Sequence, residues 1–258
     1  TKIENYAFDI ANKLQNINLE NVRYLGNSAF EYCEKLTRVT IPDGVTSIGD
    51  NAFYNCTGLT SVVLKEGLET IGEYAFAHCE ALKNIAIPES VTMAGYCAFF
   101  GSGLENLTIG KNLTEVGDGA FSGCQSLQSI QVAPENAKFK AQDGVVFSKD
   151  GTVLHFFPAG RSGSYALPAN TVRIGDYAFA NCENIKELVI PASVNKICWY
   201  AFYSMGSLES VIFVDPTPWI IKTSSQPASY REIDVTNPKE AAIKLQRNYM
   251  YDWNKIID

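Results

Sequence analysis

Ile71-Gly72-Glu73-Tyr74-Ala75-Phe76-Ala77-His78-Cys79 decides the fold, because near copies of it return along the chain at an almost fixed interval. With its Ala-Phe pair as the marker, the copies fall at Ala7, Ala29, Ala52, Ala75, Ala98, Ala120, Ala178 and Ala201. The steps are 22, 23, 23, 23, 22, 58 and 23 residues. A fixed period in this range means a solenoid, whose turns bury a hydrophobic flank only by stacking on one another. Such a chain has no single core and grows by adding turns, so its 258 residues read as one elongated domain.

Four places before each marker stands an apolar residue, as at Leu25, Ile48, Ile71 and Val116, usually followed by Gly. That Gly permits either a backbone corner closed to residues with a Cβ or a tight approach to the next turn. The Ala-Phe pair reads as a single short helical turn with Phe as the main core filler. Cys33, Cys56, Cys79, Cys124 and Cys182 sit four places after the marker, and Leu or Ile seven places after it. Next come alternating pairs such as Val39/Ile41, Val62/Leu64, Leu107/Ile109 and Leu188/Ile190. Alternation with period two predicts a short strand with one face inward. Pro42, Pro88 and Pro191 end three of these strands, and stacking should place them in one parallel sheet about 4.8 Å apart.

The consensus C-x-x-L-x-x-I-x-I-P-x-x-V-x-x-I-G-x-x-A-F resembles the BspA-like class of bacterial leucine-rich repeats. Cys33 to Phe53 and Cys56 to Phe76 carry it nearly whole, and it recurs in register over roughly residues 1–214. Ala11, Ser102 and Met205 replace the motif Cys, and Ala94 stands where Ile is usual. The resemblance implies an α/β repeat solenoid, leucine-rich-repeat-like, with a parallel sheet on one face. Residues 1–214 would form about eight turns and residues 215–258 a C-terminal capping segment.

The 58-residue step exceeds two repeats by about 12 residues, which predicts an insertion near 134–167. Within it, Gly144 to Pro158 has two alternating apolar arms around Asp150-Gly151, a strong hairpin signal because Asp-Gly supplies the backbone angles of a tight turn. Similar D-G-V-x-x-x-x-D-G hairpins occur in the family it resembles. The hairpin reads as a flap over the side of the solenoid. Near the end, Asn237-Pro238 opens a helix, with Asn at the cap and Pro at the first position. Ala242, Leu245, Tyr249, Trp253 and Ile256 fall at helical spacing as a stripe that would seal the last turn. The tail from Tyr251 to Ile257 is similar to terminal W-x-x-I segments of the family, which implies a native C-terminus, whereas the start falls inside a repeat.

A formal charge of −7 argues against a nucleic-acid binder, which needs clustered Lys and Arg, and against an anionic membrane surface. No apolar run is long enough to predict a transmembrane segment. Five of the seven Cys share one repeat position, so their Cβ atoms would lie about 4.8 Å apart, beyond disulfide reach, and they read as buried free thiols. Neither a C-x-x-C pair nor a phosphate-binding or calcium loop is present, so no metal or cofactor is expected. The two His, His78 and His155, have no evident nucleophile partner, and the pairs Glu66/Glu69 and Asp50/Glu73 read as surface carboxylates. The expectation is a protein that is not an enzyme.

What remains is surface. The outward strand positions Arg38, Thr40, Ser61, Val63, Asn84, Asn106, Thr108, Ser129, Gln131 and Glu187 are mostly small and polar, suited to a partner backbone or sugar hydroxyls. Trp199, Tyr200, Tyr203 and Trp219 form a second candidate patch if they are exposed. The family resemblance implies a secreted or cell-surface binding or adhesion module whose partner is a protein or glycan at a host or neighbouring cell surface. A spacer segment of a larger surface protein is the alternative, and an enzyme acting on surface polysaccharide a remote one.

Overall fold

The computed structural model describes residues 1–225 and 228–256, which form a solenoid with two sheet strips along it. One is a six-stranded parallel sheet of two-residue strands, Lys2–Ile3, Tyr24–Leu25, Ser47–Ile48, Thr70–Ile71, Met93–Ala94 and Glu115–Val116. The other holds the expected alternating strands in three separate blocks. Arg38–Ile41 pairs with Ser61–Leu64, Leu107–Ile109 with Ile130–Val132, and Ile185–Ile190 lies between Gly163–Ala166 and Ser210–Phe213. The expectation of one sheet is therefore corrected to two strips, because the apolar-Gly segment of each turn also pairs with its neighbour.

The marker corner is not a helical turn. Tyr74 and His78, flanking Ala75-Phe76-Ala77, have φ of 53° and 57°, and equivalent residues recur in the left-handed region along the stack. Backbone donors alternate instead. In the turn of Ala52, Tyr54 N and Cys56 N donate three residues back, to the carbonyls of Asn51 and Phe53. Asn51 N, Phe53 N and Asn55 N donate sideways to the carbonyls of Glu73, Ala75 and Ala77 in the next turn, at 2.8, 2.9 and 2.9 Å. Every second donor is thus spent between turns, and an α-helical ladder cannot form. The only helix among the described residues is Pro238–Arg247, so the solenoid is mostly β rather than α/β.

Behind this corner the marker Phe rings stack face to face. Centroids of Phe8, Phe30, Phe53, Phe76 and Phe99 are 5.2 to 5.4 Å apart. The conserved spacing of Gly reflects close approach, the second of its two readings. A Cβ on Gly72 would lie 2.7 Å from Asp50 N and from the carbonyl carbon of Gly49, backbone atoms that cannot rotate away. Gly72→Ala should cost about 1–3 kcal/mol by forcing two turns apart. Chemical denaturation checks this, and an unchanged midpoint would show that the turns separate freely.

The long step conceals a turn without an Ala-Phe marker. Phe157 N donates to Ala178 O at 2.9 Å, as Phe99 N does to Ala120 O, and the Phe157 ring lies 4.7 Å from Phe179. The hairpin is not a flap. Val145–Ser148 pairs antiparallel with both Phe139–Gln142 and Val153–Phe156, and the latter continues in parallel with Arg173–Ile174. Val145, Val146, Phe147 and Leu154 are buried, because their apolar arms complete the stack between the two halves of the core.

At the C-terminal end, Asn237 caps the helix by accepting from Lys239 N and Glu240 N, and Ala241, Ala242 and Leu245 are buried. The apolar stripe leaves the helix after Arg247. Trp253 is buried in the strand Trp253–Lys255, which pairs antiparallel with Lys196–Ile197 and with Trp219–Ser225. Tyr200 N donates to Tyr249 O at 2.7 Å, so the cap accepts the sideways bond that a further turn would have taken. Ile257 lies outside the described residues.

Candidate functional site

All ten strand-face residues are exposed, in positions set by strand register. Arg38 lies opposite Ser61, Thr40 opposite Val63 and Thr108 opposite Gln131. Asn84 and Asn106 form an isolated bridge, with Asn106 Nδ2 donating to Asn84 Oδ1 at 3.0 Å. Two grooves follow the face, one of about 540 Å³ beside Arg38 and Thr40, the other of about 330 Å³ beside Asn84, Asn106 and Thr108. The face does not run unbroken to Glu187. Ile130 N donates to Gly144 O, and the Asp143-Gly144 turn sits so close over Ser129 that a Cβ there would be 2.3 Å from Ser129 Oγ. Glu187 pairs instead with Ser164 and Ser210 in the last block.

The second patch changes membership. Trp219 is 1 % exposed and packs 5.5 Å from Phe213, so it belongs to the core; it begins a strand that pairs with Ala228–Ile233 and Trp253–Lys255. Trp199 is 46 % exposed, while Tyr200 and Tyr203 are half-buried. These three belong to a larger feature that the strand-face reading missed, a band of aromatic rings on the outer side of the marker corners. Tyr32, Tyr54, Tyr74 and Tyr96 meet edge to face at 5.3 to 6.3 Å. Beyond them, Tyr177 and Tyr200 stack at 5.1 Å, and Tyr249 of the cap lies 5.3 Å from Tyr200 and 5.1 Å from Tyr203.

This band bridges the unmarked turn. Leu154, not a residue five places back, pairs with Ile174, so the corner leading to Phe157 is short. The turns on either side meet across it at the rim, where Ser122 Oγ donates to Tyr177 O at 3.1 Å and Gln125 Nε2 to Asn181 O at 2.7 Å. Gly119 occupies a corner position that bears a side chain in every other marked turn, and a Cβ there would lie 3.4 Å from the Tyr177 ring. Tyr96 Oη reaches Tyr177 Oη beside Gly119, donating at 2.6 Å. The result is a trough of about 380 Å³ with Tyr74, His78 and Phe100 on one side and Tyr200, Tyr203 and Tyr249 on the other. Burial pushes the Tyr74, Tyr96 and Tyr177 phenols up, so they stay protonated at neutral pH.

The residues weighed for catalysis serve the scaffold. His78 sits edge-on between Tyr54 and Phe100, each 5.5 Å away, while Cys79 Sγ points inward and donates to Phe53 O at 3.2 Å. His155 is held down to about 4, first by burial and then by Arg173, and packs 5.2 Å from Phe139. Asp50 accepts from Glu73 N at 2.8 Å in a ladder begun by Asn5 and Asn27. Asp176, Cys198 and Asp252 converge within 4.8 Å, but cations already occupy them. Arg173 Nε donates to Cys198 Sγ at 2.8 Å and pairs with Asp176, and Lys196 pairs with Asp252 at 3.0 Å.

Among solved structures, the chain is similar to a leucine-rich repeat protein from Eubacterium ventriosum, at 25% identity and TM-score 0.65, over 74% of this chain and 59% of that one. It is also similar to a leucine rich cell surface protein from Faecalibacterium prausnitzii, at 27% identity and TM-score 0.62, over 83% and 64%. A third likeness is to the pneumococcal vaccine antigen PcpA, at 26% identity and TM-score 0.60, over 69% and 51%. The chain thus spans less than two thirds of the length of each. No curated protein sequence matches it. The family model described as BspA type leucine rich repeat region matches residues 1–128 and 156–230 in six copies. With most of its length accounted for by those copies, the chain belongs to the BspA-type leucine-rich repeat family.

Proposed function

We propose that the protein is a non-catalytic recognition or adhesion module, exported and displayed at the cell surface, that binds a protein or glycan on a host or neighbouring cell. The observation that carries this reading is the surface itself. Stacked turns present two grooved strand blocks and an aromatic trough, while the titratable groups weighed for catalysis are spent on the scaffold. The relative described as a cell surface protein supports the location, and no helix among the described residues is long and apolar enough to cross a membrane. The test is binding of the chain to extracellular matrix proteins and a glycan array, beside a variant combining Arg38→Glu, Asn84→Glu, Asn106→Glu and Gln131→Glu. Binding that falls at least tenfold in the variant places recognition on the strand face, and binding retained directs attention to the trough. Silence from both rejects the reading in favour of a spacer that displays another part of a larger surface protein. The spacer alternative is supported by the partial coverage of the longer relatives.

A further inference from the structure

We propose that the trough between Tyr74 and Tyr249 is a subsite for a neutral pyranose sugar; this deepens the recognition reading and rests on it. Six tyrosines, Tyr74, Tyr96, Tyr177, Tyr200, Tyr203 and Tyr249, line it, and among the described residues no Asp, Glu, Lys or Arg does. A lining without carboxylates, Lys or Arg matches a ligand without formal charge, since an ion leaving water needs a counter-charge to offset its desolvation. Each phenol joins an apolar ring to a hydroxyl tip. That is the complement of a pyranose, whose C–H face is apolar and whose rim carries hydroxyls. In the 2.6 Å pair Tyr96 donates to Tyr177, which leaves the Tyr177 proton unused by that bond. The volume of about 380 Å³ lies at the small end of ligand sites.

A peptide fits this place less well. Strand addition needs unpaired backbone groups, but the corner donors here are used between turns, with Tyr74 N, Phe76 N and His78 N bound to the carbonyls of Tyr96, Ala98 and Phe100. A proline-rich helix needs grooves between separated rings, and these rings pack on their neighbours with centroids 5.1 to 5.7 Å apart, which leaves no such groove between them.

The experiment titrates the chain, with its tyrosine rings ¹³C-labelled, with methyl glycosides of glucose, galactose, mannose and N-acetylglucosamine, and in parallel with a proline-rich decapeptide. Expected are saturating shifts from at least one glycoside confined to the trough tyrosines, with Tyr6 and Tyr24 unmoved, and a tenfold or greater loss of affinity in Tyr203→Ala. Tyr203→Phe, which keeps the ring, should lose less than Tyr203→Ala and serves if the alanine variant does not fold. Shifts from the decapeptide alone, or from no glycoside, overturn the sugar assignment. If the chain still binds a surface partner through the strand face, recognition stands and only the trough proposal falls.

Discussion

Phe76→Ala is expected to lower the stability of the solenoid by about 3–5 kcal/mol. Phe76 is wholly buried, with Phe53 5.3 Å away on one side and Phe99 5.4 Å on the other. Removing the ring deletes two stacking contacts and leaves a cavity that the flanking turns cannot close, because their spacing is held by sideways backbone bonds at 2.7 to 2.9 Å. In a repeat protein each turn contacts only its neighbours, so the loss should be local. Hydrogen exchange should quicken from about residue 50 to 100 and change little beyond Lys196. Phe8→Ala, in the half-buried first turn, should cost less. A Phe76→Ala midpoint displaced by under about 1 kcal/mol would show that the Phe ladder is not the core.

The repeat was legible because one interval governs both the sequence and the stack: an Ala-Phe pair every 22 or 23 residues is a Phe ring every 5.3 Å. The corner's conformation was not, since Ala and Phe are compatible with a helical turn. What excludes the helix is the lateral bond from Phe53 N to Ala75 O, a contact between turns that no local propensity reports. The turn of Phe157 was hidden for a related reason. It keeps the core Phe and the strand partner Leu154 but drops the Ala and shortens the corner, so its marker vanished while its packing remained. In the cap, Ala242, Leu245 and Trp253 satisfy helical spacing, and only sheet pairing with Ile197 reveals that Trp253 belongs to a strand.

Strand-face residues could be read off because alternation alone assigns them an outward direction. The trough could not. Its rings come from four offsets around the marker: Tyr74, Tyr177 and Tyr200 one place before it, Tyr96 two before, Phe100 and Tyr203 two after, His78 three after. No single repeat position collects the set. The trough also depends on what Gly119 lacks, and on two turns meeting across a third too short to reach the rim.

Raising the pH should destabilise the protein through its thiols. Cys79 is pushed up to about 12 and Cys97 and Cys124 to about 11, in each case chiefly by burial. A thiol in an unfolded chain ionises near 8.5. Below that pH both states hold the proton and the full stability is present. Above it the unfolded chain ionises first, and stability falls by about 1.4 kcal/mol per thiol per pH unit until the folded value is passed. The three together should remove about 4 kcal/mol per unit above pH 9. Tyr74, Tyr96 and Tyr177 are displaced in the same direction, but phenols in an unfolded chain ionise near 10, so the fall between pH 8.5 and 10 belongs to the thiols. Cys33, Cys56, Cys182 and Cys198 are pushed up by burial as well, so Cys79→Ser with Cys124→Ser should lower the measured slope by about 3 kcal/mol per unit and leave the share of the other thiols. Ser102, buried in the same repeat position within 3.4 Å of Cys124 Sγ, shows that the site accepts a hydroxyl. Urea denaturation at half-unit steps from pH 7.5 to 10 measures the slope. An equal slope in wild type and double variant would assign the alkaline loss to other groups, and leave the Cys ladder a matter of packing alone.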